Sequence, residues 1–324
     1  MKVSVCIPVY GVEKYIERCA RSLFEQTMKD DIEFIFVDDC TPDKSIEILQ
    51  KVLEEYPERK NQVKIIRHET NKGLTGARNT ALKHVSGDYV IHCDSDDWVD
   101  ENLYEVMYNK AITEHADIVC CSIALEFSQH KTVILKPKYN SIEDLFKREF
   151  NAAHFASVIN KMVIRKIACA PDIITPDYIT MAEDLLRSTQ MIIKCERLAI
   201  CPEVHYRYFF SNPKSVTLNL SLKTFYSEHE VSDILLNILP AKYQSYGAIL
   251  KAKTLLSALQ TKEITAKQYY SFYGRLFTLQ VSFAPNTLGF DKRVLLGVSF
   301  ISYILARFLS KVRVKLVHKL RAGK

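Results

Sequence analysis

Three aspartates stand close together where a strand-like segment of the sequence gives way to a loop. Asp94, Asp96 and Asp97 follow the run at residues 88–93, within the sequence Asp94-Ser-Asp-Asp-Trp98. Hard divalent cations prefer oxygen ligands, and Mg²⁺ usually takes one or two carboxylates together with the phosphates of a substrate. The cluster therefore indicates a metal–diphosphate site rather than an all-protein cage. An Asp-rich turn without a ligand is the alternative from this motif alone.

Strand-like and helix-like segments alternate through the first 121 residues and must position such a site. Apolar runs predict buried strands, and helical spacing of apolar residues predicts helices between them. This alternation predicts an α/β fold with a doubly wound, mostly parallel sheet flanked by helices. Ligands of such sheets bind outside the carboxyl ends of the strands, so the polar residues that follow the strands should converge on one crevice. The predicted strands are residues 3–9, 32–37, 63–67, 88–93 and 117–121.

The remainder of the chain is less regular up to about residue 215 and mainly helical from 220 to 280. Glu183 and Asp184 open a predicted helix in the less regular part. We therefore predict a first domain at 1–215, made of a nucleotide-binding half at 1–121 and an acceptor half at 122–215. A helical C-terminal extension at 216–290 and a tail at 291–324 follow it.

Charge separates the tail from the body of the protein. Residues 292–324 hold nine Lys and Arg and no Asp or Glu, so a tail of +9 and a body of −3 make up the net charge of +6. This body does not favour nucleic acid as a partner. Apolar and basic residues interleave in the tail, which predicts a helix lying in an anionic membrane surface. The alternative is an amphipathic helix docked on its own domain or in a dimer.

Cysteine usage and the first residues of the sequence predict a location. The nine cysteines include no CxxC pair, which is typical of buried thiols in a reducing compartment. The sequence starts directly with a strand, so we expect no signal peptide. The apolar run at 294–306 is shorter than the ~20 residues that span a bilayer. We expect a cytoplasmic protein that is peripheral on the inner face of the cell membrane.

No glycine-rich phosphate loop follows the first strand. The sequence has neither a GxGxxG fingerprint there nor a GxxxxGK[ST] P-loop anywhere, and the first turn is Pro8-Val-Tyr-Gly11. Phosphate would then be held by a metal and by basic side chains. The segment at 71–79 offers Lys72, Gly73 and Arg78 near a predicted helix start, where anions bind and an arginine gives bidentate phosphate contacts. A surface ion pair is the alternative for Arg78.

Five motifs occur in order between residues 4 and 98. They are Ser4-Val-Cys-Ile-Pro-Val-Tyr10, Phe36-Val-Asp-Asp-Cys-Thr-Pro-Asp43, Asn71-Lys-Gly with Gly76-Ala-Arg-Asn79, Ser86-Gly-Asp-Tyr89 and Asp94-Ser-Asp-Asp-Trp98. Together they resemble a family 2 glycosyltransferase with the GT-A fold, over roughly residues 1–215. The sequence departs from that family at Gly11, where Asn is common, and at Cys40, where Gly is common. Neither position carries chemistry.

The resemblance implies a role for each candidate residue. The nucleotide pocket would be lined by Pro8, Val9, Tyr10 and Glu13. A hydrogen bond from a uracil ring would be accepted by Asp38 or, in our preference, by Asp39. The base or the diphosphate would contact Arg78, with Lys72 and Gly73 beside it. The ribose or the donor sugar would contact Asp94 and its neighbour Ser95. A Mn²⁺ or Mg²⁺ ion that bridges the two phosphates would be bound by Asp96.

The resemblance also implies inverting transfer, which needs a carboxylate to take the proton of the acceptor hydroxyl. General-base catalysis by a positioned side chain typically raises the rate by about 10²–10⁴-fold. Met181-Ala-Glu-Asp184 resembles the base motif of the family, so Asp184 is the predicted base and Glu183 orients the loop or the acceptor. The alternative is that both carboxylates simply favour the positive end of a helix. The roles of His205, Arg207 and Lys214, in a segment similar to one that closes over the donor diphosphate, stay open.

These features together predict an enzyme that moves a sugar from a nucleotide donor, with a UDP-sugar as the expected donor, to a glycan or lipid-linked acceptor in surface polysaccharide synthesis. Its partners would be the donor, the acceptor and the anionic membrane surface, and the oligomeric state stays open. One alternative is nucleotidyl transfer to a sugar phosphate, which usually takes a glycine-rich loop after the first strand. The other is a catalytically inactive partner in assembly at the membrane.

Overall fold

The structure is a computed structural model that describes residues 1–127, 131–151, 157–210, 221–283 and 288–322. The chain divides into two compact units. Of the described residues, the first unit contains 1–149 and 157–210. The second contains 221–283 and 288–322, together with residues 150 and 151.

A mixed sheet runs through the first unit, and nine strands belong to it in the described part of the chain. They are β1 (Val3–Val9), β2 (Ile32–Asp38), β3 (Val63–Arg67), β4 (Tyr89–His92), β5 (Trp98–Val99), β6 (Ile118–Phe127), β7 (Lys131–Leu135), β8 (Lys161–Ile164) and β9 (Leu198–Phe209). The order across the sheet is β3-β2-β1-β4-β8-β6-β9-β5, and β7 pairs with β6.

The predicted parallel arrangement is confirmed for the first four strands. β1 is parallel to β2 and β4, and β2 is parallel to β3, in a register that sets Val9 beside Asp38 and Asp38 beside Arg67. Every residue of β1, β2 and β4 is buried, as expected for strands covered on both faces. The carboxyl ends of these strands therefore meet along one edge of the sheet.

The other half of the sheet contains antiparallel neighbours that the sequence pattern does not predict. The short strand β8 lies between β4 and β6 and is antiparallel to both, whereas β6 and β9 are parallel. β6 also runs beyond its predicted end at Cys121 to Phe127. β5 and β8 have two and four residues, which is too short for apolar periodicity to reveal them.

A close main-chain approach explains the Ser86-Gly87 motif before β4. A Cβ atom on Gly87 would lie 2.7 Å from the Ser4 nitrogen, so a larger residue does not fit there. The buried Glu33 accepts hydrogen bonds from the hydroxyls of Ser4 and Ser86 and pairs with Lys64 at 2.7 Å. This motif therefore packs the amino ends of the strands, opposite to the edge where the acidic residues lie.

Helices connect the strands of the sheet. α1 buries the residues whose spacing predicts it, among them Ile16, Leu23 and Phe24. α2 begins at Ser45, where Asp43 accepts hydrogen bonds from the Ser45 nitrogen and the Thr41 hydroxyl. The helices are α1 (Ile16–Phe24), α2 (Ser45–Glu54), α3 (Gly73–Leu82), α4 (Leu103–Thr113), α5 (Ile142–Asn151), α6 (Arg165–Ala168) and α7 (Glu183–Ile192), with a 3-10 helix at Pro57–Gln62.

The second unit is helical, as the sequence predicts. Its helices are α8 (Leu222–Ile238), α9 (Gly247–Gln260), α10 (Ala266–Tyr273), α11 (Arg275–Phe283), α12 (Phe290–Ile301) and α13 (Tyr303–Ala322), with a 3-10 helix at Ala241–Tyr246. Phe225, Leu259 and Tyr269 belong to its apolar core. The apolar run at 294–306 is divided between α12 and α13, because Ser302 adopts an extended conformation between them. Within the described ranges, no helix has the length and apolar character needed to cross a membrane.

Candidate active site

The acidic loop, residues 94–97, follows β4, and its aspartates differ in their surroundings. Asp97 is fully buried, and its carboxylate accepts hydrogen bonds from the Tyr206 hydroxyl and the Phe209 nitrogen, both at 2.7 Å. Burial and the charges of Asp96 and Asp94 raise the pKa of Asp97 well above its ordinary value. Asp94 and Asp96 are only half-buried. Asp97 therefore anchors the loop to β9, and Asp94 and Asp96 are the carboxylates that reach the surface.

A buried arginine joins the acidic loop to the helix of the candidate base. Arg78 on α3 is 3% exposed and donates to Asp94 Oδ1 at 2.7 Å and to Glu183 Oε1 at 2.8 Å. Burial alone would lower the pKa of Arg78, but the charges of Asp94 and Glu183 together raise it above its ordinary value. In this structure the Arg78 guanidinium binds two protein carboxylates. Its expected contact with the base or the diphosphate stays a prediction.

Glu183 and Asp184 stand at the start of α7, as the sequence predicts. Ala182 before them has a φ of +63°, a left-handed conformation that costs a non-glycine residue energy and persists only where the surrounding structure enforces it. Burial and the charge of Glu183 raise the pKa of Asp184 to about 7, against the lowering effect of Arg78. A carboxyl group with a pKa near neutrality is suited to accept a proton from a substrate hydroxyl.

α3 also fixes the loop that leads into α7. The Thr75 hydroxyl donates to the Ile179 carbonyl oxygen at 2.6 Å. Asn79 Nδ2 donates to the Thr175 carbonyl oxygen at 2.8 Å and to the Asp177 carboxylate at 2.6 Å. Together with the Arg78 bridge, these contacts make one helix responsible for the positions of both the acidic loop and the candidate base.

Asp39 caps the start of α3. Its carboxylate oxygens accept hydrogen bonds from the nitrogens of Lys72 and Gly73 at 2.7 and 2.8 Å, and His68 Nδ1 lies 2.7 Å from Oδ1. Asp39 thus occupies the positive end of α3, and the contact of Lys72 and Gly73 with phosphate stays a prediction. The preference for Asp39 as the uracil acceptor stays a prediction as well. Its side chain is buried and both oxygens are bonded within the protein.

Asp38 lies at the end of β2 beside a small cavity. Its Oδ1 accepts a hydrogen bond from the Thr41 nitrogen at 2.8 Å, and its Oδ2 lies 3.3 Å from Arg67 Nε. The cavity has a volume of about 340 Å³, and its other lining residues are Asp43, Ile46, Gln50 and Ile65. Asp38 is 3% exposed and Asp39 2%, so the two aspartates differ in that Asp38 borders this cavity and not in their exposure.

The end of β1 presents one exposed side chain among the three predicted for the nucleotide pocket. Val9 has no exposed surface and Pro8 is buried, so these two side chains belong to the packing of the sheet. Tyr10 is 52% exposed. Glu13 is exposed too, and its carboxylate accepts a hydrogen bond from the Lys44 nitrogen at 3.3 Å. Tyr10 and Glu13 therefore stay as candidates for contact with the nucleotide.

His205 and Arg207, whose roles the sequence left open, both pair with Asp100. His205 Nδ1 lies 2.8 Å from Asp100 Oδ2, and Arg207 Nε lies 2.6 Å from Asp100 Oδ1. Arg207 also contacts Glu126 at 2.8 Å. These pairs tie β9 to the residue that follows β5. Lys214 lies outside the described residues.

A cation at the acidic loop would have few protein ligands. The described ranges of the chain contain no group of three or more His, Cys, Asp or Glu side chains that could hold a metal ion. Ser95 is buried between the two half-buried aspartates. One or two carboxylates completed by phosphate oxygens are the usual environment of Mg²⁺, and carboxylates also suit Mn²⁺. The residues present therefore fit an ion that Asp96 shares with a bound diphosphate.

Two residues that hold the acidic loop were missed by the sequence analysis. The Tyr206 hydroxyl, which donates to Asp97, accepts a hydrogen bond from the Asp94 nitrogen at 2.9 Å. Arg18 on α1 donates to the Asp96 carbonyl oxygen at 2.8 Å. Both residues stand in regular elements far along the chain from the acidic motif, and no spacing signal connects them to it.

Residues 4–168 match the family model described as "Glycosyl transferase family 2". The match spans about half of the chain and includes α3 and the acidic loop. The chain belongs to this family. Uncharacterized glycosyltransferase EpsJ of Bacillus subtilis (strain 168) is 32% identical over 253 residues, which are 76% of this chain and 70% of that protein. The protein is thus a glycosyltransferase, which decides against the nucleotidyltransferase alternative.

Solved structures share the fold of this family 2 member. S. aureus TarS 1-349 in complex with UDP-GlcNAc matches with a TM-score of 0.69 at 20% identity, over 100% of this chain and 93% of that chain. Mannosyltransferase PcManGT from Pyrobaculum calidifontis, in complex with GDP-Man and Mn²⁺, matches with a TM-score of 0.57 at 14% identity. This match covers 98% of this chain and 86% of that chain. At these identities the likeness concerns the fold alone, and it confirms the predicted GT-A fold.

The sequence of TarS is also related to this chain. The protein from Staphylococcus aureus (strain Mu50 / ATCC 700699), poly(ribitol-phosphate) beta-N-acetylglucosaminyltransferase TarS, is 27% identical over 226 residues. These residues are 64% of this chain and 35% of TarS, so the chain spans about a third of that protein.

Replacing Arg78 should separate the effect of its charge from that of its geometry. Arg78→Gln removes a charge that lowers the pKa of Asp184, so that pKa should rise above about 7 and the rising limb of the pH–activity profile should move to higher pH. Arg78→Lys keeps the charge but cannot bridge two carboxylates, so the rate should fall about 10²-fold without movement of the limb. Transfer is measured across the neutral and alkaline range, with thermal unfolding as the check on folding. An unmoved limb in Arg78→Gln would show that Arg78 does not tune the base.

Proposed function

We propose that this glycosyltransferase moves a sugar from a UDP-linked donor to a glycan or lipid-linked acceptor, with inversion and with the help of a divalent ion. The observation that carries the proposal is the Arg78 bridge, which holds the acidic loop and the Glu183–Asp184 pair against one side chain. Glycosyl transfer needs a site for the departing diphosphate and a proton acceptor within reach of each other. The two acidic groups are suited to these two tasks.

On the donor side, Asp38 accepts a hydrogen bond from the uracil ring, and Tyr10 and Glu13 border the nucleotide. Asp94 contacts the ribose or the sugar, and Asp96 holds the cation with the two phosphates. A bound Mn²⁺ or Mg²⁺ would stabilise the negative charge that develops on the departing diphosphate. The UDP-GlcNAc complex of TarS supports a UDP donor, and the Mn²⁺ in the PcManGT complex supports the cation.

On the acceptor side, Asp184 in its ionised form takes the proton of the attacking hydroxyl. The hydroxyl oxygen bonds to the anomeric carbon as the bond from that carbon to the diphosphate breaks, so one base suffices and the configuration inverts. The half-buried position of Asp184 and its pKa of about 7 support this role. The name of TarS, a poly(ribitol-phosphate) glycosyltransferase, supports a polymer of the bacterial surface as acceptor.

Donor and metal are tested together by thermal shift with UDP-, GDP- and dTDP-sugars, each with and without Mn²⁺. A UDP-sugar should stabilise the protein in a Mn²⁺-dependent way, by about 2.7 kcal/mol at a hundredfold excess over Kd. The Asp96→Asn variant should lose the Mn²⁺-dependent part of this stabilisation. The control variant Glu101→Gln, at an exposed position nearby, should keep it. Turnover should release UDP. If no nucleotide sugar shifts the transition, the alternative of an inactive assembly partner gains support.

The base is tested with Asp184→Asn, which should lower turnover by about 10²–10⁴-fold and leave the donor-induced thermal shift in place.

Because folding raises the pKa of Asp184 to about 7, the native state keeps a proton that the unfolded chain loses at about pH 4. Ionisation of Asp184 therefore costs stability as pH rises between these values, so Asp184→Asn should unfold at a higher temperature than the parent at pH 8. Asp172→Asn, a surface change in the preceding segment, is the control. Full turnover in Asp184→Asn would remove the base assignment.

The tail is proposed to attach the enzyme to the anionic inner surface of the cell membrane. Large apolar side chains recur every three or four residues along α13 and are exposed, among them Ile304 at 79% and Phe308 at 62%. Further along, Val312 and Leu316 continue this apolar stripe, and Lys311 beside it is exposed. An exposed apolar stripe on a basic helix is the form that binds in a membrane interface.

Flotation with vesicles tests the tail. The full chain should float with phosphatidylglycerol vesicles, less so at high salt, and poorly with phosphatidylcholine vesicles. Ile304→Glu/Phe308→Glu removes two large apolar contacts, each worth about 1.5–3 kcal/mol when buried, so its binding should fall more than tenfold. Leu276→Glu, at an equally exposed apolar position of the second unit, should bind like the parent. If the parent does not float and the double variant instead changes the oligomeric state, the stripe is a protein interface.

A further inference from the structure

Arg18 lies under the acidic loop, although it belongs to no motif of the sequence. Its Nη2 donates to the Asp96 carbonyl oxygen at 2.8 Å. The next residue of α1, Cys19, has its Sγ 3.8 Å from the Asp94 carbonyl oxygen. Two consecutive residues of one helix thus contact the main chain of the loop that carries the proposed metal ligand.

The Arg18 guanidinium also lies close to two aromatic rings. Its central carbon lies 3.6 Å from the centre of the Trp98 ring and 5.0 Å from that of Phe209. Trp98 begins β5, directly after the acidic loop, and Phe209 ends β9 and donates its nitrogen to Asp97. A flat guanidinium stacks on such rings, whereas a lysine ammonium cannot cover them in the same way.

Charge favours this position as well. Asp94, Asp96 and Asp97 bring three carboxylates to one loop, and Arg18 on α1 adds a positive charge to it besides that of Arg78 on α3. The buried Nε of Arg18 has no hydrogen-bond partner in the described part of the chain. The half-buried Arg18 side chain thus leaves one buried N–H group without a partner while its Nη2 contacts the loop, which favours support of the loop as its role.

We propose that Arg18 is a positioning residue for the metal site: it fixes the peptide of Asp96 and so the direction of the carboxylate that receives the cation. This inference rests on the proposed function, because Asp96 is the proposed metal ligand. Residues that orient a metal ligand typically contribute about 10–100-fold to metal affinity. The effect of Arg18 should thus fall on the metal requirement and not on the nucleotide itself.

The test compares Arg18→Met, Arg18→Lys and the control Arg21→Met by thermal shift with UDP over a series of Mn²⁺ concentrations. Arg21 is one turn away on the same helix and pairs at the surface with Glu17 and Glu55. We expect both Arg18 variants to need at least about tenfold more Mn²⁺ than the parent to reach half of the metal-dependent shift. The increase should be smaller for Arg18→Lys than for Arg18→Met. The affinity for UDP in the absence of metal should be unchanged in both. Arg21→Met should match the parent.

Three results would overturn the inference in different ways. An unchanged Mn²⁺ midpoint in Arg18→Met, with a normal parent, rejects the role of Arg18 and leaves the proposed function in place. A loss of UDP affinity without metal shows that Arg18 binds the nucleotide directly. If UDP stabilises the unmodified protein against heat but Mn²⁺ does not change this stabilisation, the proposed metal site is rejected, and the role of Arg18 with it. Arg18→Lys serves as the readout if Arg18→Met is too unstable to purify.

Discussion

One buried cation holds the candidate site together. Removing a guanidinium from water costs several kcal/mol, which Arg78 recovers only because Asp94 and Glu183 contact it at 2.7 and 2.8 Å. The same contacts relieve the repulsion between acidic groups that approach from two loops. Neither the acidic loop nor the start of α7 can therefore shift without leaving a charge unbalanced. The pKa of Asp184 depends on this bridge too, because the charge of Arg78 lowers it against the effects of burial and of Glu183.

Each of three acidic pairs is divided between an anchor and a reachable carboxylate. In Asp96–Asp97 the second residue is buried and bonded to the protein, whereas the first is half-buried. Asp38 and Asp39 are both buried, but Asp38 borders a cavity. In the pair at the start of α7, Glu183 is the anchor and Asp184 the half-buried carboxylate. The anchor holds the main chain in place so that its neighbour can contact a ligand.

The sequence predicts the first half of the fold well because the signals there are local. β1, β2 and β4 are mainly apolar and buried throughout, and α1 buries the residues whose spacing predicts it. β8 has four residues and pairs in the antiparallel direction, which depends on distant partners and leaves no periodic pattern. The positions of the acidic residues could be predicted because they follow strands. Which member of each pair is the anchor could not, because Asp39 depends on Lys72 and Gly73, and Asp97 on Tyr206. The start of α3 does bind an anion, as electrostatics requires, but that anion is Asp39.

The Arg78 bridge also has a consequence for biosynthesis. It connects residues 105 positions apart, from Arg78 to Glu183. A nascent chain that has emerged only as far as the acidic loop already contains the strands of the parallel sheet, yet its Arg78 has one of its two carboxylate partners. The site closes only after α7 has left the ribosome. Until then the growing chain carries a partly neutralised cation at the edge of its sheet. The arrival of α7 brings the second carboxylate partner together with the candidate base, before β9 adds the last strand of the sheet.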